Sequence, residues 1–207
     1  CTSAQKSFPI YVLLNFEGRV RDISTIAHET GHAINHIFMR RQNSMNYGNS
    51  LAIAEFASTF MEDFVFEEII KGIPVDKRLP LIMNKLDDQI GSVYRQIACY
   101  QFEQQLHSEY RNSHFVSSQK IGELFVKNMA NYLGDSVIVE GQAEDYWIHW
   151  SHIRRPFYVF SYASGLLIAK ALQRKYKADK SIMKEVKEIL SAGTNDTPAN
   201  IFSKVGI

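Results

Sequence analysis

The stretch IAHETGHA, residues 26–33, carries two histidines four positions apart, with a glutamate directly after the first. On an α-helix such histidines project from one face, about 6 Å apart along the axis, so both rings can reach one metal ion. Imidazole nitrogens bind Zn²⁺ at about 2.0–2.1 Å, and the H-E-x-x-H pattern places a general base beside the ion. We therefore predict a helix here, with His28 and His32 as zinc ligands and Glu29 as the general base.

The rest of the chain predicts a mainly α fold with one or two short strands. The apolar run FPIYVLLNF, residues 8–16, is rich in β-forming residues and is predicted to be a strand. Asp22 or Ser24 is expected to cap the helix that carries the two histidines. Apolar periodicity and stop signals predict further helices over residues 51–70, 79–111 with a weak point at Gly91, 118–133, 157–176 and 180–190.

A catalytic zinc site needs a third protein ligand, and Glu55 is the candidate. It is a lone carboxylate within AIAEFAST, residues 52–59, where burial is costly unless the charge is paired or binds a metal. Ser58 and Glu62 share its helical face and are predicted to hydrogen-bond the ligating imidazoles. For Glu62 a solvated helix edge is the alternative. The histidine pair also occurs by chance on ordinary helices, and Glu55 favours the zinc site over that alternative.

His36 continues the histidine stripe but is not predicted to be a ligand. It lies two helical turns beyond His28, about 12 Å along the axis, which is too far to share the same ion. We interpret it as a partly buried helix histidine.

Length and composition predict one ordinary globular domain over residues 1–207. Hydrophobic residues make up 45% and charged residues 22% of the chain, and 23 basic side chains balance 22 acidic ones. The basic residues are scattered, which argues against nucleic-acid binding, and no apolar run is long enough for a membrane span. Cys1 and Cys99 do not make a disulfide framework, so we expect a reducing, cytoplasmic setting.

Four segments together resemble a known family, the zinc oligopeptidases related to thimet oligopeptidase, and within it the oligoendopeptidase F branch. They are YVLLNFEG (11–18), DISTIAHETGHAIN (22–35), AIAEFASTF (52–60) and HIRRPFYVFSYASGLLIAKAL (152–172). They follow the family's order over nearly the whole chain. The combination is more specific than the histidine motif alone.

The resemblance implies a helical zincin-type metallopeptidase catalytic domain that binds one zinc per chain and hydrolyses oligopeptides within a deep channel. Members of the family are longer, so the chain is expected to be the C-terminal portion of the catalytic domain, without the N-terminal lobe. Residues 11–15 would bind the peptide backbone as an added strand. His152, Tyr158 and Tyr162 would line the site opposite the zinc.

These assignments imply a mechanism in which Glu29 takes a proton from the attacking water and passes it to the leaving amine. Zinc and the phenol of Tyr162 would stabilise the oxyanion, with Tyr158 and His152 assisting. For the aromatic residues, core packing at the start of a helix is the alternative. His149 and the two tryptophans, Trp147 and Trp150, are assigned to packing or to the channel rim.

Two other functions remain open. In the first, the chain is a catalytically incomplete, zinc-binding helical fragment that needs the missing lobe or a partner chain. That alternative predicts exposed apolar surface and self-association as a homo-oligomer. In the second, the chain is a zinc hydrolase that acts on a substrate other than a peptide, and only the family resemblance argues against it.

Overall fold

A computed structural model of the chain describes residues 1–135, 137–139 and 141–207, without the side chains of residues 141 and 142. The described residues are mainly α-helical with one two-stranded sheet, which confirms the predicted fold class. The strands are β1 (Thr2–Ser3) and β2 (Tyr11–Val12). The helices are α1 (Val20–Met39), α2 (Leu51–Lys71), α3 (Arg78–Ile90), α4 (Gln96–Ser113), α5 (Ser118–Leu133), α6 (Phe160–Ala178), α7 (Met183–Ser191) and α8 (Pro198–Ser203).

Short helical turns of other types join several of these helices. A π-helical turn, Gly91–Arg95, separates α3 from α4. It lies at the glycine that the sequence marks as the weak point of a longer helix, and such turns often interrupt α-helices at one place. The 3₁₀ turns are Val75–Lys77, Gly141–His149, Ser151–Arg154 and Lys180–Ile182.

Helix α5 begins and ends at the residues that the sequence predicts. The hydroxyl of Ser117 accepts a hydrogen bond from the backbone N–H of Lys120, which satisfies one of the free donors at the helix start. Gly134 follows the last turn with a positive φ of 68°, a conformation that glycine adopts without steric cost.

The start of α1 differs from the prediction. The helix begins at Val20, with Arg19 as its N-cap, so neither Asp22 nor Ser24 is the cap. The carboxylate of Asp22 lies in the first turn, where it accepts hydrogen bonds from the backbone N–H groups of Arg19 at 2.9 Å and Glu17 at 2.8 Å. A carboxylate at this third helical position also interacts favourably with the positive end of the helix dipole.

The predicted strand over residues 8–16 is confirmed only at Tyr11–Val12. These residues pair antiparallel with β1, with Thr2 opposite Val12 and Ser3 opposite Tyr11. Much of the apolar run is exposed, including Leu13 at 72%. The partner strand has only two residues, and the exposed apolar side chains have no surface to pack against. The pairing of the two strands therefore extends no further.

The described residues divide into two compact units. The first unit comprises residues 1–83 and 164–207, and the second comprises residues 84–163. The core of the first unit is built from α2, α6, α7 and α8 around Phe56, Leu172 and Ile189. That residues 1–207 form one domain stays a prediction.

The core of the second unit lies between α4 and α5. Phe102 and Phe125 pack edge to face there, with ring centroids 5.3 Å apart. Trp147 and Trp150 pack against the same core, in agreement with their assignment to packing.

Within the first unit, two glycines bring neighbouring helices close to α2. A Cβ on Gly31 of α1 would lie 2.6 Å from the carbonyl oxygen of Ala57 and 2.6 Å from Cα of Ser58. A Cβ on Gly165 of α6 would lie 2.7 Å from Cβ of Glu55. Only glycine fits at these distances. The backbones of α1 and α6 therefore approach α2 at the segment that carries Glu55.

Two other observations bear on the predictions from composition. Among the described residues, no helix has both the length and the apolar content that crossing a membrane requires. Cys1 and Cys99 are both free thiols.

Candidate active site

Three side chains of the first unit converge on one point between α1 and α2. One ligand atom from each of His28, His32 and Glu55 lies within 4.8 Å of the others. The Nε2 atoms of His28 and His32 are 3.1 Å apart, and Nε2 of His28 is 3.9 Å from Oε2 of Glu55. Ligand atoms about 2.0–2.1 Å from a tetrahedral zinc lie about 3.3 Å from one another. The donor types therefore fit a zinc ion, and the more widely spaced donors would have to approach one another by up to about 1.5 Å to share it.

The orientation of His28 is held from α2. Its Nδ1 lies 2.5 Å from Oε1 of Glu62. Because an ionised carboxylate only accepts hydrogen bonds, Nδ1 carries the proton, and the lone pair of Nε2 is left for a metal. A carboxylate that holds a ligating imidazole in this way is a common feature of zinc sites. Glu62 thus has the contact that the sequence predicts, rather than that of a solvated helix edge.

The two imidazoles differ in their affinity for protons. For His28, burial lowers the pKa, but the hydrogen bond and charge of Glu62 and the charges of Glu55 and Glu29 raise it above 6.5 overall. For His32, burial and then the charge of His28 lower the pKa to about 4. His32 is therefore neutral at pH 7, as a metal ligand must be.

Glu29 is not one of the three converging side chains, and its carboxylate contacts residues at the start of the sequence. Its Oε2 accepts a hydrogen bond from the hydroxyl of Thr2 at 2.6 Å, and its Oε1 lies 3.3 Å from the terminal ammonium of Cys1. Burial raises the pKa of Glu29, but the hydrogen bond from Thr2 lowers it, and overall the pKa lies below its ordinary value. The carboxylate is therefore ionised at neutral pH, the state that a general base requires.

Ser58 does not make the contact that the sequence predicts. Its hydroxyl donates a hydrogen bond to the backbone carbonyl of Glu55 at 3.0 Å instead of to an imidazole. Gly31 of α1 packs closely against the backbone of Ser58. Ser58 is fully buried and serves the contact between helices.

His36 lies outside the converging group, as predicted. It is partly buried, and its ring centroid is 5.8 Å from that of Tyr47. Burial lowers the pKa of His36, so the ring is neutral at pH 7.

The second unit holds a cluster of His152, Tyr158 and Tyr162. The rings of His152 and Tyr158 are stacked, with centroids 5.0 Å apart and planes 19° apart. The hydroxyl of Tyr162 lies 2.9 Å from Nε2 of His152. Burial lowers the pKa of His152 and the charge of Arg155 lowers it further, so the imidazole is neutral at pH 7. The cluster thus holds a phenol hydrogen-bonded to a neutral imidazole.

Sequence reasoning missed Thr2 and Glu103. Thr2 lies far from Glu29 along the chain, and no local pattern connects the two residues. Glu103 lies in the predicted long helix, is 2% exposed and accepts a hydrogen bond from the backbone N–H of Phe157. A lone carboxylate between Phe102 and Leu106 on an apolar face is the available signal for Glu103, of the same kind that identified Glu55.

Comparisons with known proteins give a consistent assignment. The model of peptidase family M3 matches residues 3–207. The plasmid-encoded oligoendopeptidase F of Lactococcus lactis subsp. cremoris is 30% identical over 200 residues, which cover 95% of this chain and 33% of that protein. Oligopeptidase PepF of Bacillus subtilis (strain 168) is 26% identical over 200 residues, which cover 95% of this chain and 30% of that protein.

A solved structure agrees with these relatives. The crystal structure of oligoendopeptidase-F from Enterococcus faecium matches with a TM-score of 0.72 and 26% identity, over 89% of this chain and 34% of that one. The chain thus spans about a third of the length of the proteins it matches. Since the family model covers nearly the whole sequence, the chain belongs to peptidase family M3, on its oligoendopeptidase F branch.

Proposed function

We propose that the chain carries the zinc site and the general base of an endopeptidase that hydrolyses oligopeptides. The observation that supports this most is the convergence of His28, His32 and Glu55 within 4.8 Å, on two helices whose sequence matches a peptidase family. The names of the relatives, oligoendopeptidase and oligopeptidase, suggest the substrate class.

The three side chains suit a catalytic zinc ion because they leave one coordination position open. His28 and His32 would supply two nitrogens, and Glu55 would supply one oxygen. A zinc ion bound there would lower the pKa of a water molecule towards about 7 and polarise the scissile carbonyl group. Glu62 would keep the ring of His28 in the ligating orientation through its hydrogen bond to Nδ1.

Glu29 would accept the proton of the attacking water and donate it to the nitrogen of the departing amine. The carboxylate is ionised at neutral pH and so is in the state that can accept a proton. The hydrogen bond from Thr2 would hold the carboxylate before substrate binds. Rotation of the Glu29 side chain away from Thr2 is then part of the proposed reaction.

We assign the second group of functional residues from the family resemblance and from the contacts within the cluster. Tyr162 would donate a hydrogen bond from its hydroxyl to the oxyanion of the tetrahedral intermediate. His152 would orient that hydroxyl through the 2.9 Å contact with its Nε2. Tyr158, stacked on His152, would hold the imidazole in place and offer a further hydroxyl.

The first experiment is elemental analysis of the purified 207-residue chain beside two variants. We expect one zinc per chain in the wild type, little zinc in His28→Ala, and one zinc in the control His36→Ala. His36 is on the same helix but outside the converging group, so the control tests the effect of removing a histidine as such. Absence of zinc from the wild type after supplementation would contradict the proposed site.

A second candidate function is a zinc-binding fragment that is inactive until another polypeptide completes it. Two observations favour it: the chain spans about a third of the length of its relatives, and α3 exposes an apolar stripe. The large exposed side chains of that stripe are Leu79, Ile82, Met83, Leu86 and Ile90. Cleavage of an internally quenched oligopeptide by the zinc-loaded chain would support the first function. Stoichiometric zinc without cleavage would support the second.

A further inference from the structure

Glu103 is a buried carboxyl group that the proposed chemistry does not use. It lies on α4 in the second unit and is 2% exposed. Its Oε2 accepts a hydrogen bond from the backbone N–H of Phe157 at 3.1 Å, whereas its Oε1 is buried without a hydrogen-bond partner among the described residues. An acidic group is costly to bury when only one of its oxygens has a hydrogen-bond partner. We therefore expect the hydrogen bond that Glu103 accepts from Phe157 to have a role.

Phe157 has a backbone conformation that must be held in place. Its φ is 59°, in the left-handed region that bulky residues rarely adopt. Its ring centroid lies 5.6 Å from that of Tyr100 and 4.9 Å from that of His107. Tyr100, Glu103 and His107 share one face of α4 at helical spacing, so one helix contacts both the ring and the amide of Phe157.

Tyr158 and Tyr162, which follow Phe157, belong to the cluster assigned above, and His152 precedes it. Tyr158 stacks on His152, and the hydroxyl of Tyr162 contacts Nε2 of the same imidazole. A tight turn precedes them, in which the N–H of Tyr158 donates to the carbonyl of Arg155 at 3.0 Å. The backbone direction at Phe157 therefore determines where the ring of Tyr158 lies.

We propose that Glu103 is a positioning residue for this cluster. By accepting the hydrogen bond from Phe157 it holds the left-handed turn that places Tyr158 and Tyr162 against His152. Its effect on peptide cleavage rests on the proposed function, because Tyr162 and His152 are assigned to catalysis only there. Its effect on the geometry of the cluster does not rest on that function.

The role requires an acceptor oxygen and no charge. Burial raises the pKa of Glu103 to about 7, although the hydrogen bond from Phe157 lowers it in part. Both protonation states are thus present at neutral pH, and both leave an oxygen free to accept the Phe157 N–H. A glutamine in this place keeps the acceptor, whereas a methionine of similar shape removes it.

The test compares Glu103→Met with Glu103→Gln and with a matched control, Gln96→Met. Gln96 is also buried on α4 and makes no hydrogen bond to Phe157 among the described contacts. Two measurements on the 207-residue chain need no activity: amide hydrogen exchange at Phe157, and the ¹⁵N chemical shift of the His152 ring, which reports its contact with Tyr162. A third measurement is the kcat and KM for a quenched oligopeptide.

We expect Glu103→Met to speed exchange at Phe157 by about tenfold or more and to shift the His152 resonance. Its kcat should fall by about 10–100-fold with little change in KM, because a small displacement of a catalytic donor is costly in rate. Glu103→Gln should retain the exchange rate, the resonance and the kcat, and Gln96→Met should leave all three as in the wild type.

Each contrary outcome has a distinct meaning. Unchanged exchange and an unchanged His152 resonance in Glu103→Met would overturn the positioning role, whatever the activity. A Gln variant as impaired as the Met variant would overturn the role of the acceptor oxygen. If Glu103→Met does not fold, altered exchange or an altered resonance in Glu103→Gln still overturns the proposal. A wild-type chain that cleaves no peptide contradicts the proposed function, and the two spectroscopic measurements then decide the positioning role alone.

Discussion

Nδ1 of His28 on α1 lies 2.5 Å from Oε1 of Glu62 on α2. This contact makes the orientation of one helix's imidazole depend on the packing of the next helix. It also sets the tautomer of the ring, because the carboxylate accepts a hydrogen bond and Nδ1 must therefore carry the hydrogen. The helix pair therefore does two things at once: it brings Glu55 to the histidines and it directs the lone pair of His28 towards Glu55 and His32.

Replacement of Glu62 by alanine is expected to weaken zinc binding by about 10–100-fold, because the ring of His28 loses the partner that orients it. The three proposed ligands stay in place in this variant. Competition with a chromogenic chelator measures the affinity. Glu68→Ala is the matched control, since Glu68 lies on the same helix and pairs with Lys71 at the surface. Equal affinities in the two variants would exclude a role of Glu62 in orienting His28.

Replacement of Glu29 by glutamine is expected to leave the zinc content at one per chain and to abolish peptide cleavage. A carboxamide cannot accept the proton of the attacking water at neutral pH, yet it can still accept the hydrogen bond from Thr2. Zinc analysis and cleavage of a quenched peptide are measured on the same preparation. Activity at the wild-type level would rule out Glu29 as the base.

Replacement of Gly31 by alanine is expected to destabilise the chain by about 1–3 kcal/mol, through overpacking of α1 against α2. The added Cβ would meet two backbone atoms at 2.6 Å, the carbonyl oxygen of Ala57 and Cα of Ser58. Zinc affinity should fall as well, because the displaced α1 carries both histidines. Urea unfolding and chelator competition measure the two effects.

The control for that substitution is Gly48→Ala. A Cβ on Gly48 would have its nearest neighbour, Cγ2 of Thr194, at 3.9 Å. We expect its free energy of unfolding to stay within about 0.5 kcal/mol of the wild type. A Gly31 variant as stable as the Gly48 variant would show that α1 and α2 tolerate a wider separation than the structure has.

Replacement of Tyr162 by phenylalanine is expected to lower kcat by about 10²–10³-fold if its hydroxyl stabilises the oxyanion. KM and zinc content should change little, since Tyr162 is not one of the proposed metal ligands and phenylalanine keeps its ring. Tyr110→Phe serves as the control because Tyr110 is an exposed residue of α4. An unchanged kcat in Tyr162→Phe would exclude the oxyanion role and leave core packing as the role of Tyr162.

The stability of the chain is expected to depend on the titration of Glu103. Its pKa is about 7 in the folded chain, because burial raises it, and about 4.3 in an unfolded chain. The folded state binds the proton more tightly, so this stabilisation is fully present below about pH 4.3 and is lost as the pH rises through about 7. Relative to Glu103→Gln, the wild type should lose on the order of 2–3 kcal/mol between pH 4.5 and 8.

Urea unfolding of both chains over this pH range, with a chelator present, measures the difference. Titrations of other groups cancel, because they are common to both chains. A difference that is constant with pH would mean that Glu103 titrates near its ordinary value in the folded chain.

Helix positions could be predicted because their signals are local. The helix predicted over 118–133 has those bounds in the structure, and the helix predicted over 51–70 ends one residue later, at Lys71, next to Gly72. The residues that bound these helices act through the backbone conformations and hydrogen bonds of the residues next to them, which do not depend on the rest of the fold. The prediction of a strand over residues 8–16 was wrong over most of that range. A strand forms only where a partner strand pairs with it, and the partner here has two residues.

The sequence by itself determined the spacing of His28 and His32 on one helical face, and it marked Glu55 as a carboxylate in an apolar segment. Backbone geometry sets the first, and the cost of burying a charge sets the second. Only the tertiary structure decided that Glu62 and not Ser58 contacts an imidazole, that Gly31 lies against α2, and that Glu103 holds Phe157. Those contacts join residues far apart in the chain, and their geometry depends on how the helices pack, which no local pattern records.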